Sequence, residues 1–146
     1  MILFLVHCAA NADDARALAW RLRWHDCTPA AVWTGADDVA RATATILADV
    51  LDWRGLIETH DALSAAATDP ADLVRALAAT DAGVAGFAIV LIGHEPALSA
   101  VAAHFFDGPA LEPLAPGEAL RLDDQEVRWR FSHDGAAPVR GPEPSR

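Results

Sequence analysis

Short apolar runs alternate along the chain with stretches in which apolar residues recur at helical spacing. Ile2–Val6 is an apolar run of strand length, with His7 and Cys8 at its carboxyl end. From Ala12 the spacing turns helical. Ala15, Leu18, Ala19 and Leu22 share one face, Arg16, Arg21 and Arg23 fall between them, and Asn11 or Asp13 stands where an N-cap belongs. Thr28-Pro29 breaks the pattern, and Ala30–Trp33 reads as a second strand. After a turn at Thr34-Gly35, the spacing of Val39, Ala42, Ile46, Val50 and Trp53 predicts a helix from Asp37 to Asp52. Leu56–Glu58 is a third strand and Thr59 to Thr68 a loop. Asp69-Pro70 then opens a further helix, with Asp69 as N-cap, Pro70 at its first position, and Leu73, Val74 and Leu77 toward the core.

The stretch from Gly86 to Phe106 carries the strongest pattern. Phe87–Ile92 is apolar without alternation, as in a parallel strand buried on both faces. Gly93, His94, Glu95 and Pro96 follow. Leu98, Val101, Ala102 and Phe105 then mark one helical face, and the helix is expected to end near Asp107-Gly108-Pro109. Pro96 suits the first turn of that helix. Ala110 to Gly117 is a loop. Glu118–Asp123 and Glu126–Ser132 alternate around Asp124-Gln125 and predict a terminal hairpin, with Val127, Trp129 and Phe131 facing one way. Strands alternating with helices indicate an α/β fold, a three-layer α/β/α sandwich with a mostly parallel sheet and a C-terminal antiparallel hairpin. Residues 1–133 are read as one domain and 134–146 as a flexible tail.

Composition narrows the function classes. The 146 residues carry a net charge of −10, which argues against a general nucleic-acid or anionic-membrane binder. All 11 basic residues are Arg, so chemistry that depends on a lysine is excluded. Cys8 and Cys27 form neither a disulfide framework nor a zinc-ligand spacing, and no metal or other cofactor is implied. The first apolar run is too short for a signal peptide, and no stretch has the length of a membrane span, so a cytoplasmic protein is expected.

Two histidines hold equivalent places. His7 ends the first strand and His94 the fourth, each just before a helix, so a parallel sheet puts both on one edge. That edge is where ligands bind in open α/β folds, and helix N-termini there favour anions. If the two strands are neighbours, the imidazoles share one pocket, and a neutral imidazole is a competent nucleophile toward phosphorus. Arg41, near the start of the second helix, opposes the helix dipole there, and its guanidinium suits phosphate.

These motifs resemble those of the histidine phosphatase superfamily, and most closely its small SixA-type phosphohistidine phosphatases. Leu3-Phe4-Leu5-Val6-His7-Cys8-Ala9-Ala10 is similar to a first strand ending Arg-His-Gly or Arg-His-Ala. Arg41-Ala42-Thr43-Ala44-Thr45 matches the end of a Ser-Pro-x-x-Arg-Ala-x-x-Thr segment, and Val90-Leu91-Ile92-Gly93-His94-Glu95-Pro96 matches the strand that ends in a second His. The resemblance covers residues 1–133. It implies that His7 is the phosphorylated nucleophile, His94 the second pocket histidine, Arg41 a phosphate clamp and Asp61, before Ala62-Leu63, the general acid, with Glu58 as the alternative. It implies hydrolysis of phosphohistidine or a small phosphomonoester, and a phosphorylated small molecule or phosphoprotein as partner.

The chain departs from that pattern in two places. Val6 stands where an Arg should precede the nucleophile; in an alternative register His7 replaces the Arg and Cys8 the His. Asp37-Asp38 stands in place of Ser-Pro and repels phosphate if it lines the pocket. A second reading is therefore a catalytically inactive member that binds a phosphorylated ligand or a protein partner. A third is an interaction protein whose exposed tryptophans form a homodimer surface.

Overall fold

The computed structural model describes residues 1–64, 69–80, 88–105, 111–124 and 126–139. The expected start of the fourth strand at Phe87, the end of its helix at Asp107, Gln125 of the terminal turn and the tail from Arg140 lie outside these residues. Along the chain run β1 (Ile2–His7), α1 (Ala12–Trp24), β2 (Pro29–Thr34), α2 (Asp38–Val50), β3 (Ile57–Thr59), a 3-10 turn (Asp61–Leu63), α3 (Ala71–Ala79), β4 (Ala88–Gly93), α4 (Ala97–Phe105), β5 (Ala119–Asp123), β6 (Glu126–Ser132) and β7 (Gly135–Pro138).

One sheet has the order β3-β2-β4-β1-β5-β6-β7. The first four of these strands are parallel, and β5, β6 and β7 extend the sheet antiparallel from β1. Strand alternation divides the core in two. Phe4 and Val6 of β1 and Val90 and Ile92 of β4 pack with Leu18, Leu22, Ala44 and Leu47 of α1 and α2. Leu3 and Leu5, with Ile89 and Leu91, pack with Leu73, Leu77, Leu98 and Val101 of α3 and α4. Both central strands are thus buried on both faces, which is why they read as unbroken apolar runs.

The helix ends follow local chemistry. Asn11 caps α1 by accepting from the Asp14 N–H at 2.8 Å, and Asp37 caps α2 by accepting from the Ala40 N–H at 3.1 Å. Asp26 and Asp52 take left-handed backbone (φ 59° and 58°) just past α1 and α2. That lets the Cys27 and Trp53 N–H groups reach back to the Leu22 and Ala48 carbonyls, the Schellman pattern that closes a helix. Asp69, expected as the N-cap of α3, accepts from the Ala71 N–H, but the N-cap position falls one residue later, on Pro70. Pro70 and Pro96 precede α3 and α4 instead of occupying their first turns.

Two expectations change. Val127 packs with the α3/α4 side of the core, whereas Trp129 and Phe131 pack on the α1 side. The β5–β6 register shifts between Arg121 and Leu122, whose partners are Trp129 and Val127. A bulge there reverses the period-two alternation. The hairpin is also not the end of the sheet: Gly135–Pro138, read from sequence as part of a loose tail, pairs with Trp129–Ser132 as β7.

Candidate active site

His7 lies opposite Gly93 in the β1–β4 ladder, so His7 and His94 leave the sheet side by side. Their ring centroids are 6.0 Å apart, with the planes at 76°. Each is anchored differently. The His7 backbone is locked between the Glu118 carbonyl and the Gly117 N–H, at 2.9 and 3.1 Å. Its Nδ1 donates to the Leu114 carbonyl at 2.8 Å. A carbonyl only accepts, so the neutral ring keeps its proton on Nδ1 and bears its lone pair on Nε2. Among the described residues, nothing bonds to that Nε2.

His94 is held from the other side of the sheet edge. Its N–H donates to the Leu63 carbonyl of the 3-10 turn at 3.1 Å. Gly93 makes this approach possible, because a Cβ there would stand 2.5 Å from the Leu63 carbonyl oxygen. The glycine of the Gly93-His94 pair is thus required by the turn packed against it. His94 Nε2 lies 2.8 Å from Asp37 Oδ2. Burial opposes ionisation of Asp37. The hydrogen bonds from His94 and Ala40 outweigh it and hold the carboxyl below its ordinary range. The second oxygen, Oδ1, is buried with no hydrogen bond among the described residues.

Cys8 also meets His94. Its thiol donates to the Gly93 carbonyl at 3.0 Å and sits 3.7 Å from His94 Nε2. Burial, and then the Asp37 charge, push this thiol up to about 12, so it stays protonated and unreactive at neutral pH. Val6 is fully buried in the core on the α1/α2 side of the sheet. The ring at the end of β1 whose Nε2 is unbonded among the described residues is that of His7. The side chain that reaches His94 Nε2 from just past β1 is Cys8.

The remaining residues expected at the site are near its rim. Arg41 lies one turn into α2 from Asp37, and its N–H bonds to the Asp37 carbonyl. Its side chain is exposed, with no hydrogen bond or ion pair among the described residues. Asp61 opens the 3-10 turn whose far end holds His94, and its carboxylate is also exposed. Glu58 instead lies on the outer strand β3, 3.8 Å from His60, which stacks on Trp33. The geometry thus joins His7, His94, Cys8 and Asp37 directly and brings neither the Arg41 guanidinium nor the Asp61 carboxylate into hydrogen-bonding contact with their side chains. No group of three His, Cys, Asp or Glu among the described residues is placed to hold a metal.

Sequence reasoning did not find Glu95, Leu114 or Glu118. Glu95 accepts from the Ser99 N–H at 2.8 Å, from the Ser99 hydroxyl, and from the Leu114 N–H at 3.1 Å. Glu118 accepts from the Ala115 N–H at 2.7 Å and pairs with Arg130 at 3.0 Å. A glutamate between a histidine and a proline was visible, but its partner 19 residues on was not.

No protein-family model and no curated protein sequence matches the chain. Solved structures do. The protein histidine phosphatase SixA complexed with tungstate superposes with a TM-score of 0.78 at 18% identity, over 91% of this chain and 97% of that one. A protein from Agrobacterium tumefaciens assigned as a SixA phosphohistidine phosphatase gives 0.69 at 15%, over 90% and 97%. A mycobacterial glucosyl-3-phosphoglycerate phosphatase in complex with VO3 gives 0.66 at 13%, over 88% and 96%. The chain has the histidine phosphatase fold, and SixA-type structures are among those it superposes on.

Proposed function

We propose that the chain is a phosphatase of phosphohistidine or a small phosphomonoester that works through His7 at a reduced rate. The observation that carries this reading is the His7 ring. Its Nδ1 is spent on the Leu114 carbonyl and its Nε2 is unspent, beside a second histidine on the adjacent strand. In the reaction, Nε2 attacks phosphorus, the P–N bond forms and the bond to the leaving group breaks. The leaving group takes a proton from Asp61, which the exposed 3-10 turn presents at the same sheet edge. Water then gives a proton back to Asp61 as it attacks the phosphohistidine; the P–N bond breaks, phosphate leaves and neutral His7 is restored. Arg41, one turn into α2 from Asp37, is the guanidinium assigned to the transferring group.

The reduced rate follows from two features. The absent arginine removes a charge-assisted contact worth several kcal/mol to a transferring phosphoryl group. Asp37 adds a carboxylate against His94. That same ion pair favours a second reading, in which the site binds a phosphorylated ligand or partner without turnover. No helix among the described residues is long and apolar enough to cross a membrane. A soluble substrate fits both readings, and a homodimer through Trp20 and Trp24, exposed on α1, is compatible with either.

The deciding experiment incubates purified protein with a phosphohistidine peptide and a panel of phosphomonoesters. Turnover that is lost in His7→Ala, with a trapped phosphoenzyme stable to alkali and labile to acid, supports the first reading. No hydrolysis across the panel refutes it, and binding of phosphate or vanadate without hydrolysis supports the second.

A further inference from the structure

The loop before β5 contributes no side chain to the two-histidine pair, yet it bonds to the His7 ring through a single peptide unit. The Leu114 carbonyl of that unit accepts from His7 Nδ1. The Ala115 N–H of the same unit donates to Glu118 Oε1 at 2.7 Å. The Leu114 N–H, on the preceding unit, donates to Glu95 Oε2 at 3.1 Å. Both carboxylates are themselves fixed. Glu118 is paired with Arg130, whose guanidinium also bonds the Glu112 and Pro113 carbonyls at 3.3 and 3.2 Å. Glu95 is tied to the first turn of α4 through Ser99. The Glu118 backbone closes the loop, since its carbonyl accepts from the His7 N–H and its N–H donates to the Ala115 carbonyl.

We propose that Glu95 and Glu118 are positioning residues that hold the Leu114–Ala115 peptide and, through it, keep His7 in its Nδ1–H form with Nε2 free. A free imidazole in water prefers the opposite tautomer, so the protein must supply the difference. A peptide whose N–H is bonded to a carboxylate is a better acceptor at its carbonyl, because hydrogen bonds in a chain polarise one another; Glu118 does this for the Leu114–Ala115 unit, and Glu95 fixes the unit before it. Fixing the ring also removes the rotamer freedom that would otherwise be lost when the ring reacts. The same logic orients histidines in metal sites and catalytic triads, where a second partner on one ring nitrogen decides what the other can do. Glu118 is matched to this role. Burial opposes its ionisation, but Arg130 and the Ala115 N–H prevail and hold the carboxyl below its ordinary range, so the acceptor stays charged. The inference deepens the reading of His7 as the working nucleophile and shares that premise, but it concerns the state of the ring and not turnover.

The test is nitrogen NMR of the full chain labelled at histidine, at a pH above the ordinary imidazole range. Wild-type His7 is expected to show a protonated Nδ1 and a bare Nε2. Glu95→Ala and Glu118→Ala are expected to lose that pattern for the Nε2–H form. Glu118→Gln keeps an oxygen for the Ala115 N–H and is expected to retain it. Ser99→Ala leaves the Glu95–Leu114 bond and is expected to retain it too. A bare Nδ1 in wild-type His7 overturns the proposal. So does an unchanged tautomer in both folded alanine variants, which is the result a purely structural role predicts. Should the alanine variants not fold, the wild-type spectrum decides, a protonated Nδ1 supporting the proposal and a bare Nδ1 overturning it. Absence of hydrolysis with the Nδ1–H pattern intact refutes the phosphatase reading alone and leaves the positioning role standing.

Discussion

Replacing Asp37 by Ser tests whether its carboxylate opposes phosphate at this site. Ser keeps an N-cap oxygen for α2, so the helix loses little. It removes the carboxylate that sits 2.8 Å from His94 Nε2. A phosphoryl group approaching that nitrogen comes within about 5 Å of the Asp37 charge, where each unit of like charge costs about 3 kcal/mol at an effective dielectric of about 20 and about 0.8 kcal/mol in water. The Asp37 side chain is 39% exposed, so screening favours the lower end. For a phosphate dianion the relief is about 2 kcal/mol, a tightening on the order of thirtyfold. Calorimetric titration of wild type and Asp37→Ser with phosphate and vanadate reads this directly, with Asp37→Asn as a variant that keeps the shape and loses the charge. Equal or weaker oxyanion binding by both folded variants would refute the argument. The variant also carries a pH signature. The folded Asp37 carboxyl lies below its unfolded value of 3.8. Its contribution to stability is therefore complete above that value and is lost as pH falls through the folded one. Asp37→Ser should show a shallower acid limb in denaturant melts.

Three further outcomes are expected. Gly93→Ala places a Cβ 2.5 Å from the Leu63 carbonyl oxygen; it should cost about 1–3 kcal/mol in chemical denaturation and weaken oxyanion binding, because the turn that holds His94 must move. The Cys8 and Cys27 thiols are both pushed up to about 12, chiefly by burial, from an unfolded value of 9.0. The folded chain therefore holds protons that the unfolded chain releases between those values, and stability should fall as pH rises from about 9. Cys27→Ala should flatten that fall, and an unchanged alkaline limb would contradict it. Native protein at pH 8 should also resist thiol-specific reagents until denaturant is added, and immediate labelling of either cysteine would show that the thiols are not held as described.

Much of this protein is visible in its order of residues. The apolar runs that became β1 and β4 could belong only to a sheet covered on both faces, and once that sheet is parallel His7 and His94 must emerge on the same edge. Asn11 and Asp37 announce their helices because a cap uses only a side chain and backbone three residues away. Alternation failed at Val127, where one extra residue in β6 reverses which face each side chain takes, and a bulge leaves no local mark in composition. The tail failed similarly: Gly135–Pro138 has no strand pattern of its own and becomes β7 because β6 offers it an open edge.

The site divides along the same line. Its two histidines and the acidic pair at the start of α2 were local motifs. What each nitrogen does was decided by contacts between segments far apart in the chain. Asp37 meets His94 across 57 positions, His7 meets Leu114 across 107, and Gly93 is required by a carbonyl 30 residues earlier. Residue order determined which groups could stand at the edge of the sheet. Only the tertiary packing decided which nitrogen is bound and which is free, because a tautomer depends on the partner a ring nitrogen finds and not on its neighbours in sequence.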